Sequence, residues 1–224
     1  RSKAKLVRRN LYIFLFIAGI AGLGYLLGWS NLLATKSVLI TGAPTDALEK
    51  QIADVAKIEI GKPLARIEPR ILQGQIDKFD WVERASIQRN WLNGKVNIIV
   101  TARTAVAAVG GKYIDRTGFL FNAPVKPDEN LPEIFAVDSS TRLSAIELFL
   151  SFPDIFASDV RSLTATGNQF LITVENESGK YGINWGRSGN TSLKIKVFNQ
   201  LISLPENQKI NYLDLSDPNS PIVR

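Results

Sequence analysis

Apolar positions along this chain form one long uncharged run near its start, followed by many short periodic segments. The run comprises residues 11–29, and none of these residues carries a charge. A helix rises about 1.5 Å per residue, so the run spans roughly 28 Å, close to the thickness of the hydrocarbon core of a bilayer. We predict a transmembrane anchor and juxtamembrane segment over residues 11–33.

Basic residues flank this run on one side only. The first ten residues carry five positive charges and no negative one, at Arg1, Lys3, Lys5, Arg8 and Arg9. Positively charged flanks of membrane helices stay in the cytoplasm. The sequence therefore predicts a cytoplasmic tail over residues 1–10, a single-pass type II topology, and extracytoplasmic domains after the anchor.

A cleaved signal peptide is the alternative explanation for a basic start and an apolar run. Its apolar core is typically about 7–15 residues long and ends at a small-x-small cleavage site. Here the run is longer, and Leu32 places a large side chain two positions before the candidate cleavage residue Ala34. We favour the uncleaved anchor.

Shorter segments with strand and helix periods alternate over residues 36–105, which we predict to be the first folded domain. A short strand around residues 38–40 precedes a helix that Thr45 or Asp46 would cap. A second helix begins at Pro69, where the missing N–H costs nothing. Its apolar face is expected to contain four residues, Ile71, Leu72, Ile76 and Phe79.

Two alternating runs complete this domain. Residues 82–89 and 95–101 have the period of strands, and Asn93-Gly94 between them is a strong hairpin signal. The predicted order is therefore β-α-α-β-β. This order, just outside a membrane anchor, resembles that of a POTRA (polypeptide-transport-associated) domain.

A more specific resemblance lies in residues 79–91. The segment is similar to a motif of the FtsQ/DivIB family of bacterial division proteins, and it matches at Trp81, Val82, Ala85, Arg89 and Trp91. It departs from the motif at four positions, Asp80, Leu92, Ala102 and Ala105. The two tryptophans are expected to pack in the core or the hairpin, and Arg89 and Arg103 are expected to be solvated.

Residues 106–224 are predicted to form a second domain, an antiparallel β-sheet with flanking helices, which makes the whole chain α+β. Residues 113–121 indicate two strands around an Asp-x-x-Gly turn, residues 122–140 an exposed connection, and three further strands follow between residues 160 and 185. The turn position explains Asp115 better than a catalytic role does. Gly186 is interpreted as a turn residue, because no phosphate-binding glycine pattern surrounds it.

Two helices are expected in this second domain. Ser140 or Thr141 would cap the first, and the second covers residues 191–204 with Lys194 and Lys196 exposed. The apolar face of the first is predicted to comprise Leu143, Ile146, Phe149 and Leu150.

Composition narrows the possible chemistry. Five of the 27 basic residues lie in the tail, so the remaining 22 nearly balance the 21 acidic residues, and a nucleic-acid-binding surface is not expected. The chain has no His and no Cys, which removes Ser-His-Asp triads, thiol nucleophiles, disulfides and most zinc sites. We expect neither a cofactor nor enzymatic activity.

The end of the chain is the predicted binding site. A short apolar strand follows an Asp-Pro-Asn-Ser turn, and a terminal strand at a sheet edge is a template for β-augmentation, in which a partner adds a strand. The resemblance implies that this edge captures an FtsB/DivIC-type protein, the partner of FtsL, at the division septum of the bacterial plasma membrane. The matching residues are Asp217, Asn219, Ser220, Pro221, Ile222, Val223 and Arg224.

Two other functions remain open. A POTRA protein can instead handle polypeptides for a secretion or outer-membrane assembly system, although such proteins usually carry repeated POTRA units and a β-barrel. A carboxylate-based cell-wall hydrolase would use residues such as Glu147 or Asp154.

Overall fold

The computed structural model describes residues 2–28, 33–127 and 130–224, and within the first helix it describes the side chains of residues 8–26. The chain divides into two compact units, Arg1–Ala102 and Arg103–Arg224. This division lies slightly before the domain boundary predicted after residue 105.

The first helix, α1 (Ser2–Gly28), includes both the basic tail and most of the apolar run. Its segment Arg8–Leu26 is long and apolar enough to cross a membrane, and none of its side chains is buried in the protein. A helix of this kind fits a single-pass anchor. Arg1 and residues 29–32 of the predicted anchor lie outside the described residues.

The first folded unit has the predicted β-α-α-β-β order. Its elements are β1 (Ser37–Thr41), α2 (Asp46–Ala56), α3 (Pro69–Ile76), β2 (Val82–Asn90) and β3 (Lys95–Ala102), with a 3-10 turn at Leu64–Arg66 before α3. The sheet order is β1-β3-β2, with β1 parallel and β2 antiparallel to the central strand. Both helices pack on one face of this sheet, where Val96, Ile98 and Val100 of β3 are buried.

Helix α2 begins where a cap was predicted, because the Thr45 hydroxyl accepts the backbone N–H of Leu48. The predicted face of α3 is partly wrong. Ile76 is fully buried and Leu72 is half-buried, but Ile71 is 54% exposed. With only two turns, α3 contacts the sheet along a narrow stripe that Ile71 does not reach.

The second unit is built on a nine-stranded sheet. Its strands are β4 (Ala107–Val109), β5 (Lys112–Ile114), β6 (Leu120–Phe121), β7 (Glu133–Ala136), β8 (Val160–Thr166), β9 (Gln169–Asn176), β10 (Gly179–Gly186), β11 (Tyr212–Asp214) and β12 (Ile222–Val223). Its helices are α4 (Ser139–Leu150), α5 (Asp154–Ala157) and α6 (Thr191–Ser203). The strand order is β12-β11-β10-β9-β8-β7-β4-β5-β6.

The α+β class is confirmed, but this sheet is mixed where an antiparallel one was expected. Strand β7 runs parallel to β4 and β8, and β10 runs parallel to β11. Parallel neighbours need a crossover connection. Helix α4 lies between β7 and β8 in the chain, and α6 lies between β10 and β11, so the two predicted helices make two of the three crossovers, while β5 and β6 lie between β4 and β7.

Strand β7 lies within residues 122–140, which were predicted to be only an exposed connection. Its four residues form an internal strand of the sheet, and Ile134 is 2% exposed. The neighbouring proline and acidic residues obscured so short an apolar signal in the sequence.

The buried faces of the helices in the second unit agree only in part with the prediction, since Ile146 of the predicted α4 face is buried. Asp138, rather than Ser140 or Thr141, caps α4, and the buried residues of this helix are Thr141, Ala145, Ile146 and Leu148. Leu143 and Leu150 of the predicted face are 39% and 45% exposed. On α6 the buried residues are Phe198 and, contrary to expectation, Lys194.

An aromatic cluster fills the core between the sheet and these helices. The rings of Phe152 and Phe156 lie 5.1 Å apart, and Phe156 lies 5.7 Å from Phe198 of α6. Trp185 of β10 is fully buried, 5.2 Å from Phe152. Edge-to-face contacts of this kind stabilise the packing beyond the area that they bury.

Candidate partner-binding edge

Strand β12 lies at one edge of the second sheet. It pairs antiparallel with β11 through Leu213 opposite Val223 and Asp214 opposite Ile222. The ladder continues for one residue, since Arg224 and Tyr212 exchange two backbone hydrogen bonds of 3.0 and 3.2 Å. No other strand in the described part of the chain pairs with the outer side of β12.

The backbone register decides which groups this edge presents. Residues directly opposite in an antiparallel ladder alternate between hydrogen-bonded and non-hydrogen-bonded pairs. Because Arg224 bonds to Tyr212, the N–H and C=O groups of Val223 point away from β11. Pro221 is the next residue whose backbone groups face the same way, and it offers a carbonyl but no N–H.

The predicted binding residues surround this edge. Asp217, Asn219, Ser220, Ile222 and Arg224 are exposed, whereas Pro221 and Val223 are half-buried. The Asp217 carboxylate accepts the N–H of Asn219 at 3.0 Å, and the Asp217 carbonyl accepts the N–H of Ser220 at 3.1 Å. A defined turn thus leads the chain back into β12.

A polar cluster behind the edge joins β10 to β11. The side-chain amide of Asn184 donates to Asp214 at 2.9 Å, and the hydroxyl and N–H of Ser216 donate to the other oxygen of Asp214. Burial raises the pKa of Asp214, but these hydrogen bonds and the charge of Arg224 outweigh it and hold that pKa below its ordinary value. The cluster holds the chain where it leaves β11 for the turn at residue 217.

Two further contacts hold the end of β10. Gly186 has φ +67°, as expected for a turn residue, and a Cβ there would lie 2.7 Å from the Cβ of Ser216. The ammonium group of Lys194 donates to the carbonyls of Trp185 and Arg187. Burial lowers the pKa of Lys194, and the charge of Asp214 opposes this shift.

The open face of this sheet carries exposed apolar side chains that the sequence interpretation missed. Register places Phe135, Leu171 and Ile222 on one row across the strands, on the face opposite the buried Ile134 and Ile172. Their exposed fractions are 47%, 50% and 52%. The alternation in β9 could have indicated this apolar face, since Leu171 is an apolar residue among the otherwise polar outward positions of that strand.

Asp115 has the turn role that was predicted. Its carboxylate accepts the N–H groups of Thr117 and Phe119 at 2.8 and 3.0 Å, and Gly118 completes the turn with φ +85°. Burial raises the pKa of Asp115, but the hydrogen bonds from Thr117, Phe119 and Arg103 lower it further than burial raises it.

Arg103 was expected to be solvated, and this prediction is wrong. Its side chain is 15% exposed and forms an ion pair with the Asp115 carboxylate, while its guanidinium carbon lies 4.0 Å from the ring centre of Phe119. A buried carboxylate needs a charged partner, and here a cation from elsewhere in the chain pairs with it. Because the two residues are well separated in the sequence, no local pattern indicated this ion pair.

Trp81 is 5% exposed and belongs to the core, as predicted. Trp91 is 37% exposed in the β2–β3 loop, and the guanidinium of Arg89 lies 5.0 Å from its ring centre. Arg89 is not simply solvated, because it also donates to the carbonyls of Leu64 and Ile67.

The two carboxylates of the hydrolase alternative are not brought together in one cleft. Glu147 is exposed on α4 and lines a cleft of about 460 Å³ with Ser144, Ser151 and Arg187. Asp154 is exposed in the first turn of α5 and does not line this cleft.

An apolar N-terminal helix, a POTRA-type unit and a mixed-sheet unit together define a class of membrane-anchored two-domain proteins. Residues 33–103 match the family described as POTRA domain, FtsQ-type, and residues 102–216 match Cell division protein FtsQ/DivIB, C-terminal. The chain belongs to the FtsQ/DivIB family of cell-division proteins. The predicted binding residues 217–224 follow the end of the second match.

Curated relatives agree with this assignment. The chain is 29% identical over 137 residues to Cell division protein FtsQ of Salinibacter ruber, covering 56% of this chain and 51% of that protein. It is 25% identical over 217 residues to Cell division protein FtsQ of Mycobacterium leprae, covering 93% of this chain and 60% of that protein. The matches thus span between half and three-fifths of these relatives.

Proposed function

We propose that this protein is a non-catalytic scaffold of the bacterial division machinery that recruits an FtsB/DivIC–FtsL-type complex during septum formation. Membership of the FtsQ/DivIB family and the N-terminal apolar helix support a membrane-anchored division role. The partner assignment goes beyond this and rests on the resemblance of the terminal strand.

One observation carries the proposal. The sheet of the second unit ends in β12, whose outward Val223 N–H and C=O groups have no strand opposite them in the described residues. A partner strand added there would extend a continuous sheet, with backbone hydrogen bonds supplying affinity and alternate side chains supplying specificity. Exposed Ile222 is the nearest apolar side chain on the open face.

The proposed location follows from the anchor and its flank. Arg8 and Arg9 are exposed on α1, at the end of the helix that carries the basic tail. The positive-inside rule places this end in the cytoplasm and both folded units outside it. We assign the protein to the plasma membrane at the division septum, in type II orientation.

The test removes the outward donor of β12 while keeping its pairing to β11. Val223→Pro eliminates the Val223 N–H but leaves the Arg224–Tyr212 bonds in place. If β-augmentation is correct, this variant of the full chain in nanodiscs loses capture of a membrane-tethered FtsB/DivIC-type protein. Pull-down at matched protein concentration measures the loss.

Val223→Ala is the matched control. Val223 packs at the margin of the core, so both variants lose side-chain contacts, but only the proline loses the N–H. Strong capture by Val223→Ala and little by Val223→Pro supports the edge. Undiminished capture by Val223→Pro would show that the partner binds elsewhere.

A further inference from the structure

A short segment just after the anchor is held between two loops of the POTRA unit. Thr35 donates to the carbonyl of Lys62 and accepts the N–H of Gly61, each at 2.8 Å. On its other side, Lys36 donates to the carbonyl of Gly94 at 2.7 Å. Residues 57–62 and the β2–β3 loop, residues 91–94, therefore flank the segment on opposite sides.

Chain length keeps these loops near the membrane. Six peptide steps separate Gly28, the last residue of α1, from Ala34, which forms a β-bridge with Pro63. A fully extended chain spans at most about 3.6 Å per residue, so Ala34 lies within roughly 22 Å of the end of α1. Because both loops contact Thr35 and Lys36, the same short tether keeps them close to this end of α1.

The two loops expose apolar side chains. Leu92 is 97% exposed, Ile60 is 61% exposed, and Trp91 is 37% exposed. Tryptophan prefers the membrane–water interface, where its ring meets the acyl boundary and its N–H meets water. The contacts of Arg89 with Trp91, Leu64 and Ile67 hold the base of this loop against the 3-10 turn.

Charge around the two loops is mainly positive. Lys36, Lys62 and Lys95 are exposed, and the stem of Lys36 lies over Gly94, where a Cβ would approach its Cγ to 2.8 Å. Lys57 is exposed at the end of α2, and Glu59 is the acidic residue of the loop, 3.6 Å from Lys62. Lysines beside exposed apolar residues match a surface of phosphate headgroups over acyl chains.

We propose that Ile60, Trp91 and Leu92 form a membrane-contacting tip that enters the headgroup layer of the bilayer spanned by α1, with Lys36, Lys62 and Lys95 on the lipid phosphates. This inference rests on membrane anchoring by α1, but not on the partner assigned to β12. The tip gives the POTRA unit a second attachment to the membrane and restricts its rotation about the anchor.

The absence of cysteine from the chain permits a direct test. A nitroxide label is attached at Leu92→Cys in the full chain, which is reconstituted into zwitterionic vesicles and into vesicles containing anionic phospholipid. Collisions of the label with oxygen, which concentrates in lipid, and with a water-soluble nickel chelate are measured by EPR. Labels at Ile17→Cys on α1 and Val137→Cys, 87% exposed in the second unit, report lipid and water respectively.

The expected result is high oxygen and low nickel accessibility at residue 92, as at residue 17, at least in the anionic vesicles. A water-like signal at residue 92 in both vesicle types, with a lipid signal at residue 17, overturns the tip and leaves the anchor intact. Low accessibility to both reagents indicates a protein contact and also overturns it. A water-like signal at residue 17 removes the anchor and the inference with it.

The lysines are tested in the same labelled chain. Replacing the three tip lysines by glutamine should move residue 92 toward water in anionic vesicles, whereas replacing three exposed lysines of the second unit should not. An unchanged signal in the tip variant would overturn the contribution of charge. The control set is Lys112, Lys180 and Lys209.

Discussion

The Asp115 carboxylate holds the β5–β6 turn and the side chain of Arg103 at the same time. Asp115→Asn keeps a carbonyl acceptor for the turn but removes the charge opposite a guanidinium that is only 15% exposed. Losing one member of a largely buried ion pair costs about 3 kcal/mol. We expect this reduction in the free energy of unfolding of the second unit, measured by urea denaturation.

Glu177→Gln provides the control, because it removes the same charge from an exposed turn between β9 and β10. It should leave the unfolding midpoint almost unchanged. Equal midpoints for the two variants would mean that the ion pair with Arg103 contributes nothing beyond the turn itself.

Acid should weaken the second unit through Asp138. The backbone N–H of Thr141 and the hydroxyl of Ser140 lower the pKa of Asp138 to about 2 from its ordinary 3.8. Since the folded-state pKa lies below the unfolded one, the ionised cap stabilises fully above about pH 4, and its contribution is lost as the pH falls toward about 2. Urea midpoints measured across this window should fall.

Asp138→Asn isolates this effect, because asparagine caps helices as well as aspartate but does not titrate. Its midpoint should depend less steeply on pH between about 4 and 2 than that of the parent chain. Superimposable pH profiles would exclude Asp138 as a source of the acid sensitivity.

At the scale of elements, Lys194 joins α6 to the end of β10. Its ammonium group donates to the carbonyls of Trp185 and Arg187, and the side chain is 2% exposed. Lys194→Met retains most of the stem but leaves these carbonyls without their donor, which costs about 1–3 kcal/mol. We expect that loss of stability in urea denaturation of the second unit.

Lys196→Met on the same helix is the matched control, since Lys196 is exposed. Its effect should lie within about 0.5 kcal/mol. If both substitutions destabilise the unit equally, helix propensity or surface charge is responsible rather than the buried hydrogen bonds.

Most elements could be predicted from local pattern, whereas faces and strand partners could not. The two alternating runs of the POTRA unit predicted β2 and β3 because one side of that sheet is covered. Periodicity does not show which stripe of a helix is covered when apolar residues occur all around it, and Lys194, which is 2% exposed, was therefore expected to face solvent. The parallel pairing of β10 with β11 depends on a crossover that no local signal encodes.

The same contrast between local pattern and long-range pairing holds at the candidate edge. Its terminal strand was predicted from the apolar Ile222-Val223 after a turn signal, and the strand lies at the sheet edge. The supporting contact between Asn184 and Asp214 joins residues thirty positions apart, so it could be identified only from the folded structure. Only the Asp214-x-Ser216 spacing, typical of a side-chain-capped turn, marked this cluster in the sequence.

At the scale of the whole molecule, the two sheets belong to separate compact units, and both follow α1, a helix long and apolar enough to cross a membrane. The edge at β12 is short, with only two residues in the strand. So small a ladder supplies few backbone hydrogen bonds, and each contributes only about 0.5–1.5 kcal/mol net. Confinement of both proteins to one bilayer must therefore supply much of the apparent affinity if β12 is the binding site.

Confinement makes a quantitative prediction. A partner tethered in the same vesicle as the full chain should bind about 10²–10⁴-fold more tightly than its soluble edge-binding peptide, because the second encounter becomes intramolecular. Competition between the two, followed by fluorescence energy transfer to a label at Val137→Cys, measures the ratio. The same partner in separate vesicles should bind as weakly as the peptide, since it makes the same contacts with the protein but does not lie in the same membrane. Equal binding in all three arrangements would mean that the contact surface alone supplies the affinity, which requires an interface much larger than the edge of β12.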